Sequence, residues 1–328
     1  MEPKSYAAAG VNIEMAEAFV HRLKGAAKRR GHEELWPAAG GYACVYPSSD
    51  SLGVALTTDG IGTKLLVAIE LGVYDTIGID LVAMCANDLI CVGALPNLFL
   101  DYFAVGHLEE GVADSIINGI IAGCDLAGMI LAGGETAEMP DVYAPGHFDL
   151  AGFAVGYVSR ERLITGSGIR PGQKVIGVAS SGIHSNGFSL ARKVLDVAHW
   201  RLLLEPTHVY VKAVNHLLDA HRAEITGIVH VTGSGWRNLL RLSNHVGFDI
   251  QTPLPVPHVF DLIAAHVPEE EMYKTFNMGL GLAVIVDGDE TNTLRTFQTL
   301  GFEAALIGVT TDEPKRIRIA GKNFSLSN

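Results

Sequence analysis

Three short segments of this chain join carboxylates to glycines in patterns that suit phosphate and cation chemistry. In Thr57-Thr58-Asp59-Gly60-Ile61-Gly62-Thr63-Lys64, an apolar run leads into Asp59. The glycines let the backbone approach a ligand closely, and Lys64 supplies a cation where phosphate charge could lie. A plain strand-to-helix turn capped by Asp59 is an equal reading of that segment alone. In the run Gly78 to Leu89, helical spacing places Asp80, Asn87 and Asp88 on one face of an otherwise apolar helix. Burying a neutral polar group without a partner costs roughly 2–7 kcal/mol, and a bound metal ion removes that cost. The plainer alternative has Asp80 capping the helix and Asn87 and Asp88 bonded to backbone. The third segment, Gly133-Gly134-Glu135-Thr136-Ala137-Glu138, reads as a strand that ends in paired glycines and is followed by two carboxylates. Hard oxygen ligands of this kind suit magnesium, which binds one or two carboxylates together with substrate phosphates.

The second half offers polar loops instead. Ser180-Ser181-Gly182-Ile183-His184-Ser185-Asn186-Gly187 lies between an apolar strand and a helix, where it can present donors to an anion. His184 alone is more often incidental than catalytic. Thr232-Gly233-Ser234-Gly235 has the same two readings, and Met272 to Gly279 permits a binding loop without requiring one. No GxxxxGK[ST] or strand-linked GxGxxG occurs, which disfavours a P-loop ATPase or a Rossmann dehydrogenase. No GxSxG elbow supports a serine hydrolase.

The elements that must position these residues alternate between strand and helix. Strands are expected at 53–58, 98–104, 129–132, 148–159 and 175–179, with a further loop-to-strand run over 276–286. Helices are expected at 12–30, 62–71, 81–92, 111–127, 188–197, 206–220, 235–243 and 291–300. The segment 165–174, TGSGIRPGQK, reads as a linker. Two layered α/β-type domains follow, 1–168 and 169–328, in an α+β chain long enough for two cores.

Composition narrows the function class. The 328 residues carry a formal net charge of -12, which argues against nonspecific binding to nucleic acid or to an anionic membrane. Cys44, Cys85, Cys91 and Cys124 form no CxxC pair and no zinc-ligand spacing. A reduced, cytoplasmic protein is expected, with no signal-peptide core at the start and no apolar stretch long enough to span a bilayer.

At TDGIGTK, GIDLVAMCANDL, FLDYFAVG, GGETAEMP, DLAGFAVG, SSGIHSNGFSL, HVTGSG and MYKTFNMG the sequence resembles the phosphoribosylformylglycinamidine cyclo-ligase (aminoimidazole ribonucleotide synthetase) family. The likeness covers nearly the whole chain, from SYAAAGVNIE onward. The TDG and GGE loops also resemble the wider ATP-binding superfamily that includes thiamine-monophosphate kinase and selenophosphate synthetase. Ile183 and Ser234 depart from the proline and glycine common in the family. The resemblance implies a homodimer whose N-terminal halves pair into a β-barrel spanning both copies. It implies ATP and magnesium as cofactors and formylglycinamidine ribonucleotide as substrate, closed to aminoimidazole ribonucleotide with release of ADP and phosphate. Carried over position by position, Asp59, Asp80, Asp88 and Glu135 would hold metal. Gly60, Gly62, Thr63, Lys64, Asn87, Gly133 and Gly134 would lie at the nucleotide. His184, Ser185 and Asn186 would meet substrate, and Asp59, Lys64, Asp88 and His184 would be catalytic. The competing expectations are a relative that phosphorylates another small molecule and a nucleotide-binding protein without catalysis.

Overall fold

The computed structural model describes residues 4–11, 15, 18–19, 22–23, 34–320, 322 and 325–327. The helix expected over 12–30 therefore lies largely outside the described residues. Five strands form the first sheet: β1 (Cys44–Pro47), β2 (Leu52–Gly60), β3 (Leu95–Val105), β4 (Ile130–Glu138) and β5 (Phe148–Ser159), in the order β1-β2-β5-β3-β4. Neighbours are antiparallel except β3 and β4, which run parallel. Helices α1 (Lys64–Leu71), α2 (Ile77–Cys91) and α3 (Glu110–Ala127) complete this half, with α3 as the crossover between β3 and β4.

One face of the sheet is covered and the other is open. Along β5, every second residue from Phe148 to Val158 is buried, the period of a strand with a single core face. The residues between them include Phe153 and Tyr157, which with Leu56 and Leu100 on the neighbouring strands stay 37–46% exposed. On the covered side, α2 and α3 cross closely. A Cβ at Gly78 would come 2.2 Å from the Ile120 nitrogen, and one at Gly119 would come 2.7 Å from the Asp75 carbonyl oxygen. Only glycine at both positions allows the backbones to approach this far.

The second sheet contains β6 (Lys174–Ala179), β7 (Ile225–His230), β8 (Gly247–Ile250), β9 (Leu280–Val286), β10 (Ala304–Thr311), β11 (Arg316–Ile319) and β12 (Ser325–Ser327). Their order is β12-β11-β8-β10-β6-β9-β7. All seven residues of β9 are buried, which explains its continuous apolar run. Around this sheet lie α4 (Phe188–Val194), α5 (Val211–His221), α6 (His258–Ala264), α7 (Glu269–Thr275) and α8 (Thr291–Thr299). The mixed strand–helix composition of both halves agrees with the expected α+β class.

Several expected bounds shift for physical reasons. The helix that starts at Phe188 stops at Val194, because Leu195 turns extended and the Asp196 side chain accepts the Ala198 N–H to start a 3-10 turn. The helix expected from 206 begins only at Val211, since residues 207–210 bond to α2 instead. The GGETAE run is not a loop after a strand but the strand itself, paired with β3 from Gly133–Leu100 to Glu138–Val105. The expected linker over 165–174 is held in place: the Gly172 N–H donates to the Thr310 carbonyl, and the Gln173 N–H to the Thr310 hydroxyl.

Candidate active site at the junction of the two halves

Helix α2 is buried along its whole length apart from Ile79 and Asp88, which are partly buried. Apart from Lys64, the partners of its polar residues lie in the second half of the chain. Asp80 Oδ2 meets Lys64 Nζ at 2.7 Å, with both side chains fully buried. Asp80 Oδ1 accepts the Thr207 N–H at 2.8 Å, the Thr207 hydroxyl at 2.6 Å and the Ser185 hydroxyl at 3.1 Å. Burial lowers the Lys64 pKa, and the Asp80 charge opposes that shift. One turn or more along the helix, Asn87 Nδ2 donates to the His208 carbonyl at 2.8 Å, and its Oδ1 accepts the Tyr210 N–H at 3.0 Å. Asp80 lies inside the first turn, so it is not the helix cap.

Asp88 lies further along the same face. Its Oδ1 is 2.9 Å from His230 Nδ1 at the end of β7. Asp59, near the end of β2, takes the Gly60 N–H on Oδ1 at 2.8 Å. Burial, and then the Asp88 charge, push the Asp59 carboxyl from 3.8 up to about 6. Two neighbouring carboxylates, one of them reluctant to ionise, form a place where added positive charge is favoured. His230 Nε2 is buried and has no hydrogen-bond partner among the described residues. Its carbonyl accepts the Tyr42 hydroxyl at 3.1 Å, and Arg241 stacks 4.4 Å over the Tyr42 ring.

The register of the sheet sorts the remaining carboxylates. Asp59 pairs with Gly152, Gly152 with Asp101, and Asp101 with Gly134, so the two carboxylates share the helix-covered face. A Cβ at Gly134 would come 2.2 Å from Asp101 Oδ1, so this glycine makes room for the carboxylate. Glu135 pairs with Tyr102, and Tyr102 with Ala151. This one-residue offset puts Glu135 on the opposite face from Asp59. The expected four-carboxylate metal set is therefore not assembled within one copy of the chain. Asp80 is committed to Lys64, Ser185 and Thr207, and Glu135 faces away. No group of three or more His, Cys, Asp or Glu side chains among the described residues could hold a metal ion. Gly60, Gly62 and Thr63 follow Asp59 directly, and the Thr63 hydroxyl lies 3.1 Å from that of Ser189 on α4.

The three polar motifs of the second half converge. Ser180 Oγ donates to Asn277 Oδ1 at 3.0 Å, Asn277 Nδ2 donates to the Gly182 carbonyl at 2.8 Å, and Trp236 Nε1 donates to the Asn277 carbonyl at 2.7 Å. Asn186 lies against Gly233, whose absent Cβ would come 3.0 Å from Asn186 Oδ1, and Asn186 Nδ2 has no partner among the described residues. Gly187 adopts φ 84°, and a Cβ there would strike the Phe276 ring at 2.3 Å. His184 does not open toward solvent. Its ring is buried between Tyr210 and His208, its Nε2 accepts the Ser181 N–H at 3.2 Å, and burial with the neighbouring His230 and His208 holds its pKa well below the usual value. That acceptor role places the proton on Nδ1, which is also buried without a partner.

Residues that the sequence reading did not single out include Asp101, Thr207 and His230. Tyr6 is another: its N–H donates to Glu271 Oε1 at 2.8 Å. Residues 4–11 also reach α4, where Lys193 Nζ holds the Ala9 carbonyl at 2.7 Å. Tyr6 had a signal in the quoted SYAAAGVNIE segment. Asp101 and His230 likewise lie in FLDYFAVG and HVTGSG, whereas Thr207 lies in none of these segments; the partners of all three appear only in three dimensions.

The family model described as AIR synthase related protein, N-terminal domain, matches residues 40–158. The corresponding C-terminal domain model matches residues 170–320. A phosphoribosylformylglycinamidine cyclo-ligase from Carboxydothermus hydrogenoformans is 44% identical over 97% of this chain and 99% of its own length. One from Sorangium cellulosum is 44% identical over 93% of this chain and 94% of its own. Among solved structures, AaThiL complexed with AMPPCP and TMP superposes with a TM-score of 0.67 at 15% identity, covering 96% of each chain. T. maritima PurL complexed with ATP gives 0.62 at 16% identity over 91% of this chain. This chain spans 48% of that PurL chain. These structural likenesses establish the fold, and the sequence relatives go further: the chain belongs to the phosphoribosylformylglycinamidine cyclo-ligase family.

Proposed function

We propose that this protein is an ATP-dependent cyclo-ligase that converts formylglycinamidine ribonucleotide to aminoimidazole ribonucleotide, with release of ADP and phosphate, in purine biosynthesis. The observation that carries the reading is the meeting of two unlike surfaces. The Asp59–Asp88 pair, with Gly60, Gly62 and Thr63 beside it, lies in the first half. The converged loops of Ser185, Asn186, Gly233 and Asn277 lie in the second. A carboxylate pair suits the polyphosphate side of a phosphoryl transfer, and the polar loops suit the ribonucleotide. Holding both substrates across one junction replaces a bimolecular encounter by an oriented one.

The chemistry needs that arrangement because an amide oxygen is a poor leaving group. The formyl oxygen attacks the γ-phosphorus of ATP, ADP departs, and the oxygen becomes part of a phosphate ester. A substrate nitrogen then attacks the activated carbon, the ring closes, and the carbon–oxygen bond breaks to release phosphate carrying the formyl oxygen. Asp59 and Asp88 fit the pattern in which magnesium takes one or two carboxylates together with substrate phosphates. Bound there, the ion would neutralise charge on the transferring phosphoryl group. Gly133 leaves open space beside the backbone for the nucleotide, and Gly134 makes room for the Asp101 carboxylate. Ser185 and Asn186 orient the ribonucleotide.

The open sheet face with Leu56, Leu100, Phe153 and Tyr157 supports a homodimer in which two first halves close into a shared barrel. A contiguous apolar face of this kind is otherwise a liability. The proposed division is 1–168 for ATP, metal and dimerisation and 169–328 for the ribonucleotide side. A cytoplasmic enzyme with no nucleic-acid or membrane partner accords with the net charge of -12. No helix among the described residues is long and apolar enough to cross a membrane. The test is ADP release measured with and without formylglycinamidine ribonucleotide. Release that depends on this substrate is expected, and equal release without it would refute the reading.

A further inference from the structure

We propose that Lys64 and Asp80 are positioning residues for the loop 184–187, so that they act on the ribonucleotide side of the site through that loop and touch neither nucleotide nor metal. This inference rests on the function proposed above. It departs from the roles that the family resemblance implied for both residues.

The hydrogen-bond inventory carries the argument. A lysine ammonium has three protons. Two of those of Lys64 meet the His184 carbonyl at 3.1 Å and the Glu205 carbonyl at 3.0 Å, and its Nζ stands 2.7 Å from Asp80 Oδ2 as a buried ion pair. Asp80 Oδ1 already accepts from Ser185 and twice from Thr207. Neither side chain has any exposed surface. No ligand can reach either group unless this network is taken apart. Apart from the pair itself, every one of these partners belongs to residues 184–185 or 205–207 of the second half.

What the pair fixes is backbone direction. His184 adopts φ 61°, a left-handed conformation rare for a side-chain-bearing residue. Its carbonyl is held by Lys64, and the next residue is held by Asp80. Asn186 and Gly187 follow directly, and Asn186 leaves Nδ2 unbonded among the described residues. At the other end, Lys64 follows Gly60, Gly62 and Thr63 in the chain. The pair therefore ties the segment after Asp59 to the loop that carries Asn186. A buried ion pair gains little stability over apolar packing of the same volume, whereas its directional bonds do constrain geometry.

The test uses Asp80→Asn and Thr207→Val in the full-length protein. Thr207→Val keeps the ion pair and the backbone bond and removes the hydroxyl with its bonds to Asp80 Oδ1 and Ser185 Oγ, so it tests this network's hold on the loop if Asp80→Asn does not fold. Three quantities are read: amide hydrogen exchange at residues 184–188, the Kd for magnesium-ATP by calorimetry, and the KM for formylglycinamidine ribonucleotide. We expect faster exchange confined to the loop, a Kd within about twofold of the parent and a ribonucleotide KM raised by about tenfold or more. A Kd raised by about tenfold with unchanged loop exchange would make the pair a nucleotide contact and overturn the proposal. Faster exchange across the whole second half, with kcat and both KM values altered together, would reduce the pair to a general structural element and overturn it equally. If the parent protein does not turn over this ribonucleotide, the function reading fails. The exchange and calorimetric measurements still decide the positioning claim.

Discussion

Replacing Asp59 by asparagine should stabilise the protein at alkaline pH while it abolishes turnover. The Asp59 carboxyl is raised from 3.8 to about 6 by burial and by the Asp88 charge. The folded state thus binds this proton more tightly than the unfolded state does. Stability then falls as pH rises from the unfolded value through the folded one, and stays at the lower level above about pH 6. A shift of this size corresponds to at most roughly 3 kcal/mol. Partial exposure and relaxation reduce it, so about 1–3 kcal/mol is the working range. Asparagine keeps an oxygen for the Gly60 N–H, now accepted at 2.8 Å, and removes the charge. Urea unfolding of both proteins should show the variant ahead by that amount at about pH 8, with the gap closing towards about pH 4. Added magnesium and ATP should stabilise the parent and not the variant. A variant less stable than the parent at the higher pH, or a gap that does not change with pH, would refute this electrostatic account of the site.

Asp88→Asn should remove turnover at saturating magnesium and ATP while near-UV circular dichroism stays that of the parent; full activity would take Asp88 out of the site. Phe153→Arg, on the open sheet face, should give a monomer in light scattering at low micromolar concentration where the parent is a dimer. A variant that remains dimeric would move the interface elsewhere. His184→Ala removes a buried ring and the acceptor for the Ser181 N–H, and should cost about 2–4 kcal/mol in urea unfolding. Any kinetic defect should fall on the ribonucleotide rather than on ATP. A selective ATP defect would mean that loop 184–187 serves the other ligand.

The parts of this fold that the sequence disclosed were those with strong local period. The bounds of β5 agree with its strict alternation over Phe148–Ser159, and α2 was legible as an apolar helix with one polar face. What that face does was not legible. Thr207 and Ser185 lie more than a hundred residues from Asp80, and His230 is equally remote from Asp88. Their pairing is a product of tertiary packing. The same packing overrode local propensity at 207–210, where bonding to Asp80 and Asn87 delays the helix until Val211. The GGETAE run looked like a loop because of its glycines and carboxylates, yet β3 alongside it supplies a parallel ladder. Asp101 went unmarked for a related reason: inside an apolar strand, only the register with β5 and β2 reveals that it shares a face with Asp59.

The most direct test of the central claim follows the formyl oxygen. Formylglycinamidine ribonucleotide labelled with 18O at the formyl group is incubated with the protein, magnesium and ATP, and the inorganic phosphate is analysed by mass. Phosphoryl transfer to that oxygen followed by ring closure predicts one labelled oxygen in each phosphate released and one aminoimidazole ribonucleotide formed per ADP. Unlabelled phosphate, or ADP formed without the ring-closed product, would contradict the account.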